Sequence, residues 1–158
     1  MIVVYYDYGG THTSVVAAAV HLGRLNPEKV PEGKELIDLP LFDRITQSDL
    51  GHIIYNGTSI DGNNIYTLGL KKAKNLVIPA VEDMYKAVFG NTDGLYLVDV
   101  SSATNFYMKL GGLLSRGMRL QFLGLPLVVY GTRKAYRNIV RLVFNTKNAV
   151  KDYPGIQK

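Results

Sequence analysis

Ile2-Val3-Val4-Tyr5-Tyr6-Asp7-Tyr8-Gly9-Gly10-Thr11-His12-Thr13-Ser14, running on into Val15-Val16-Ala17-Ala18-Ala19-Val20-His21-Leu22-Gly23, reads as strand, glycine loop and helix. The first six residues are an apolar, β-type run, and the alanines after the hydroxyl cluster favour a helix that the closing glycine ends. At such a junction unpaired backbone N–H groups meet the positive end of a helix dipole, which favours a phosphate or another anion. The plainer alternative is a tight turn in which Thr11, Thr13 or Ser14 caps the helix.

Differences of spelling separate this loop from others that bind phosphate. A Walker A loop carries a lysine just before its hydroxyl residue, whereas the first lysine of this chain is Lys29. Asp7-Tyr8-Gly9-Gly10-Thr11 looks like the phosphate loop of sugar kinases and actin-like ATPases, but those proteins need two large lobes and a second strand directly after the loop. The glycine spacing also fails the dinucleotide fingerprint.

A chain of 158 residues with 47% apolar residues predicts one α/β domain over residues 1–158. The absence of cysteine removes disulfides, thiolate zinc sites and cysteine nucleophiles, and suits a reducing compartment. No charged-then-apolar leader or membrane-length apolar run is present, so the sequence predicts a cytoplasmic protein without a membrane partner. The formal charge of +5 is unevenly spread. From Asn105 onward the chain carries Lys109, Arg116, Arg119, Arg133, Lys134, Arg137, Arg141, Lys147, Lys151 and Lys158 against Asp152 as the only acid. Such a surface attracts nucleic acid, nucleotides or acidic proteins, or simply keeps a solvated helix face.

Residues 26–40 are rich in proline and charge and predict an excursion with a short helix near 35–38 or 41–45. Residues 52–58 and 64–70 flank Asp61-Gly62-Asn63, which predicts an antiparallel hairpin. Residues 75–89 place Leu76, Ala80, Val81, Met84 and Val88 at helical spacing before Gly90, and Pro79 in the first turns allows a start later than Asn75. Residues 95–100 read as a strand covered on both faces, followed by a polar turn and a helix over 106–115. A third unit is expected from a strand over 125–130, the turn Gly131-Thr132-Arg133 and a helix to about residue 144. In it Ala135, Ile139, Leu142 and Val143 face the core, while Arg133, Arg137 and Arg141 share the outside. These elements predict a three-layer sandwich with a mostly parallel sheet, P-loop-like or Rossmann-like in topology, plus one antiparallel hairpin.

In such a sheet the strand C-termini share one edge, where ligands bind. Three polar turns are expected there: residues 8–14, 99–105 and 130–133. Gly9, Gly10, Thr11, Thr13 and Ser14 would hold phosphate, with Ser101, Ser102 and Thr132 as further contacts. His12, Asp99 and Arg133 are the candidates for chemistry, as proton donor or acceptor, carboxylate and electrostatic clamp, with a structural hydrogen bond as the equal alternative for His12. Asp7 is the candidate metal ligand, with proton transfer or a buried hydrogen bond to the loop as its other readings, and magnesium would be admitted if Asp7 or Asp99 points into the crevice. His21 fits a packed or dipole-matched histidine near a helix end, and Asn105 and Arg116 could reach the crevice or brace helices.

Residues 8–15 together with His21-Leu22-Gly23, Gly111-Gly112-Leu113-Leu114-Ser115-Arg116 and Tyr130-Gly131-Thr132-Arg133-Lys134-Ala135-Tyr136 resemble a small uncharacterised family of spore-forming bacteria. The resemblance covers nearly the whole chain. Members of that family tend to carry a histidine-cysteine pair where this chain has Tyr6-Asp7, which puts thiol chemistry out of reach here. The resemblance implies fold and site position, and no reaction.

Three functions follow as expectations. The first is a protein that binds a phosphorylated small molecule or nucleotide, as a phosphotransferase or phosphohydrolase. The second is an RNA- or DNA-binding module that uses the basic C-terminal helix. The third is a non-catalytic protein-interaction domain.

Overall fold

The computed structural model describes residues 1–118 and 120–152. Arg119 and Lys158, two of the cations counted above, lie outside the described residues. The elements are β1 (Ile2–Asp7), α1 (Thr13–His21), α2 (Gly33–Ile37), β2 (Ile53–Thr58), β3 (Asn64–Gly69), α3 (Lys74–Phe89), β4 (Leu95–Asp99), α4 (Phe106–Gly112) and α5 (Gln121–Lys151). A π-helical turn, Leu113–Gly117, joins α4 to the approach of α5.

The four strands form one mixed sheet in the order β2-β3-β1-β4. β1 runs parallel to both neighbours, with Val4 opposite Tyr66 and Leu97, and β2 runs antiparallel to β3. β1 is central, which explains its unbroken apolar spelling: successive side chains enter two different cores. Val3 and Tyr5 pack with α1 and α5 on one face, and Val4 and Tyr6 pack on the other with Val77, Ile78, Val81 and Tyr85 of α3. Val3, Val4 and Tyr5 are fully buried, and burial of each valine side chain contributes about 1.5–3 kcal/mol. All nine residues of α1 are buried beneath the sheet and α5.

The expected hairpin forms, with a bulge between Tyr55 and Gly57. The short helix of the excursion is α2, slightly earlier than its sequence position suggested. Of the apolar positions that predicted α3, Val81 packs on the sheet, whereas Leu76, Met84 and Val88 are exposed. The helix begins at Lys74, with Pro79 inside it.

The third strand-turn-helix unit is corrected. Residues 125–130 lie in the N-terminal third of α5, a 31-residue helix, and do not form a strand. The β-branched run misleads because glycines on the two helices let α4 and α5 approach closely. A Cβ on Gly111 would stand 2.7 Å from the Val128 backbone nitrogen. Helix packing against α4 thus overrides the local β preference. Gly131, Thr132 and Arg133 consequently sit in mid-helix, where backbone N–H groups belong to the helix ladder and no N-terminal dipole is on offer. In the second half of α5 Ala135, Ile139 and Val143 are buried and Arg133, Arg137 and Arg141 are exposed, as the spacing predicts.

Candidate functional site

The loop after β1 is closed by its own chain. Asp7 is 8% exposed, and its Oδ1 accepts the amides of Gly9 (3.1 Å) and Gly10 (2.5 Å) while its Oδ2 accepts that of Ser14 (3.1 Å). Burial pushes the Asp7 carboxyl above the usual carboxylate range, and these amide donors pull it back only in part. Three donors expected for a phosphate therefore already hold an internal carboxylate, and both of its oxygens are engaged. The glycines serve a second purpose. Gly10 has a φ of 68°, and a Cβ there would lie 2.7 Å from the Gly69 amide nitrogen, so the turn can cross the end of β3 only without side chains.

The hydroxyl residues are committed to neighbouring chain segments. Thr11 Oγ1 donates to the Leu41 carbonyl (3.2 Å) and accepts from the Ile45 amide (3.3 Å). Thr13 and Thr104 join their hydroxyls at 2.7 Å, which brings the loops after β1 and β4 side by side as expected. His12 stands at the N-cap of α1 without a side-chain capping bond, and the Ser14 hydroxyl is buried without a partner among the described residues.

His12 lies in a polar cluster that the sequence did not disclose. Its Nε2 is 3.0 Å from Asp43 Oδ1, and Asp43 Oδ2 accepts from Ser115 Oγ (2.5 Å) and Gln121 Nε2 (3.0 Å). The Arg116 guanidinium donates to the carbonyls of Asp43, at 3.0 Å, and Ile45. Burial pushes the Asp43 carboxyl up, but hydrogen bonds from His12, Ser115 and Gln121 outweigh it and hold the group below the usual range. A carboxylate of this kind keeps the proton of a neutral imidazole on Nε2. The other edge of the ring faces Gly112, where a Cβ would lie 3.6 Å from Nδ1, and the ring packs edge-on against Phe42. Three segments distant in sequence, the loop after β1, residues 42–46 and the π-helical turn, are thus fastened at one carboxylate.

Asp99 and Arg133, the other two candidates for chemistry, are elsewhere. Asp99 lies on the α3 face of the sheet and forms an ion pair with Lys74, while its Oδ1 accepts the Ser101 amide at 2.9 Å. Partial burial pushes its carboxyl up, but Lys74 and Ser101 outweigh this and hold it below the usual range. Asp7 belongs to the opposite, α1 face, since β-strand side chains alternate and Tyr6 lies between Asp7 and Tyr5. Arg133 Nε donates to the Pro31 carbonyl at 3.0 Å, which ties α5 to the excursion before α2. Thr132 is buried, and its hydroxyl has no partner among the described residues. Ser101 and Ser102 are exposed in the short turn after β4. Asn105 accepts from the Met108 amide as the cap of α4 and donates to the Gly131 carbonyl at 2.7 Å. His21 ends α1, where its Nδ1 meets the Tyr5 hydroxyl at 2.7 Å, and burial lowers its pKa to about 4. Among the described residues no group of three or more His, Asp or Glu side chains could hold a metal ion.

Open polar surface lies along α5. α5 carries Arg133, Lys134, Arg137, Arg141, Lys147 and Lys151 and no acid. Lys134 Nζ stands 4.8 Å from the centre of the Tyr130 ring and 5.3 Å from that of Tyr107. Between α5 and β4 runs an open groove of about 580 Å³, lined among others by Asn138, Arg141, Asn145, Leu97 and Ser102. Neither His12 nor Asp7 lines it. Asn138, Arg141 and Asn145 share one helical stripe, a signal present in the spacing but hidden while the asparagines read as ordinary surface. Asp43 has no such signal, because it lies in a loop 31 residues from the histidine it contacts.

The chain belongs to a family described as protein of unknown function (DUF3189), whose model matches residues 2–148. No curated protein and no solved structure matches it. No helix among the described residues is long and apolar enough to cross a membrane.

Proposed function

We propose that this domain binds single-stranded nucleic acid along the outer face of α5. The observation that carries the reading is the charge of that helix: 31 residues with six cations and no carboxylate, with Lys134, Arg137 and Arg141 all exposed. Phosphates spaced along a strand suit a row of cations, and the rings of Tyr107 and Tyr130 beside Lys134 suit the stacking of bases. The amides of Gly9, Gly10 and Ser14 are already bonded to Asp7, whereas the cations of α5 are exposed, which supports the helix over the loop as the phosphate contact.

Fluorescence anisotropy with labelled oligouridylate and oligothymidylate tests the reading. Binding is expected to weaken as salt rises, with a logarithmic slope of about −0.7 for each phosphate neutralised. The double variant R137E/R141E should lose most of the affinity and flatten the slope by about 1.4, whereas His12→Ala should leave both unchanged. Absence of binding by the unaltered protein at low salt overturns the proposal.

A second reading is a non-catalytic protein-interaction domain, favoured by one observation: Leu113, Met118, Phe122 and Leu123 stand exposed around the turn between α4 and α5. Under the nucleic-acid reading, F122S/L123S leaves oligonucleotide affinity within error. Photo-crosslinking from position 122 in cells, yielding a discrete protein adduct while oligonucleotides fail to bind, would favour the second reading.

A further inference from the structure

Among the described residues β4 is an edge strand, paired on one side only. Ile2 donates to the Gly94 carbonyl and Val100 donates to that of Tyr6. In a parallel ladder these bonds assign residues 94, 96, 98 and 100 to β1. The backbone N–H and C=O groups of Leu97 and Asp99 therefore point away from β1, toward the groove that both residues help to line. Across it stand Asn138, Arg141 and Asn145 of α5, and Leu142 and Ala149 add apolar wall. Its volume of about 580 Å³ falls within the range of small-ligand sites.

The composition of these walls is specific. Each asparagine amide offers a donor and an acceptor, as does an open strand edge, so the groove presents both kinds of group on two sides of an apolar slot. A nucleobase has the matching character, with apolar faces and edges that alternate donors and acceptors. The acid that borders the groove, Asp99, is neutralised by Lys74 and so does not repel a polyanion. Arg141 belongs both to the groove and to the cationic row with Arg137, so a strand whose phosphates follow that row passes the groove mouth.

We infer that this groove receives a base of the bound strand, an assignment that rests on the nucleic-acid reading and names its specificity site. Arg137 and Arg141 hold phosphates without regard to sequence, and Asn138, Asn145 and the β4 edge select the base.

Competition among oligo-dA, oligo-dC and oligo-dT tests the assignment. The unaltered protein should prefer one homopolymer over the weakest by about fivefold or more. N138A/N145A should bring the three close to parity while the salt slope stays unchanged. Ser102→Trp, which fills the mouth from an exposed position, should do the same, and circular dichroism checks that both variants fold. If both variants keep the preference while R137E/R141E loses binding, the groove assignment is overturned and the nucleic-acid reading stands. Equal affinity for all three homopolymers in the unaltered protein also overturns the groove. No binding at all overturns both. If the strand is displaced by an extended peptide that no longer competes against Ser102→Trp, β4 pairs with peptide backbone and the base assignment fails.

Discussion

Two aspartates end neighbouring parallel strands, and they meet opposite environments. Asp7 closes β1 on the α1 face, buried, with three amides bonded to its carboxylate. Asp99 closes β4 on the α3 face, partly exposed, and is held by a lysine and one amide. The same residue type at the same end of a strand serves in one place as an internal ligand for a loop and in the other as half of a surface ion pair. The difference teaches that strand-end position identifies a rim, while the face of the sheet decides whether a carboxylate there is enclosed by its own loop or paired at the surface.

The largest expected effect comes from Asp7→Ala. It strands three backbone donors in a closed turn, and the cost in denaturant unfolding should be about 3 kcal/mol or more. A loss near zero would mean that Asp7 does not organise the loop and would break the contrast with Asp99.

Asp43→Ala should follow, at about 2 kcal/mol or more, because it removes the acceptor shared by His12, Ser115 and Gln121. Retention of full stability would dissolve the picture of a fastened rim.

The pH dependence sharpens the comparison through its sign. Asp7 has a raised pKa in the fold, so its contribution to stability is greatest at acid pH and declines as pH rises from the ordinary carboxylate value through the folded one. Asp99 has a lowered pKa, so its contribution is present above the ordinary value and is lost as pH falls through the folded one. Relative to the unaltered protein, Asp7→Asn and Asp99→Asn should therefore change the acid limb of a stability profile in opposite directions. Changes of the same sign would contradict the assignments.

The smallest effect is expected from Lys74→Met. The Lys74 side chain is exposed, and screening leaves an ion pair of this sort little influence on stability. The unfolding midpoint should stay within experimental error.

Much of the fold was legible because local chemistry and long-range packing agree in it. The run from Ile2 to Asp7 is apolar because it is central, Asp61-Gly62-Asn63 turns a hairpin, and Gly90, with a φ of 79°, ends α3. Residues 125–130 were not legible, because their strand-like spelling is overruled by contacts with α4, more than ten residues away. The candidate site was legible in position only. The loops after β1 and β4 do adjoin through Thr13 and Thr104, but a glycine loop that binds a ligand and one that binds its own carboxylate differ by the direction of a single side chain. Spacing does not encode that direction. The asparagines of the groove escaped for the reverse reason, since they gain meaning only from the unpaired edge of a strand that comes earlier in the chain.

The most direct test of the central claim, that the open α5 face and not the closed glycine loop meets the ligand, is amide chemical-shift mapping of isotope-labelled protein during titration with a short single-stranded oligonucleotide. The account predicts shifts along residues 130–149 of α5 and residues 96–103 around β4, with Gly9, Gly10 and Ser14 undisturbed. Shifts concentrated at those three amides, or none anywhere at low salt, would contradict it.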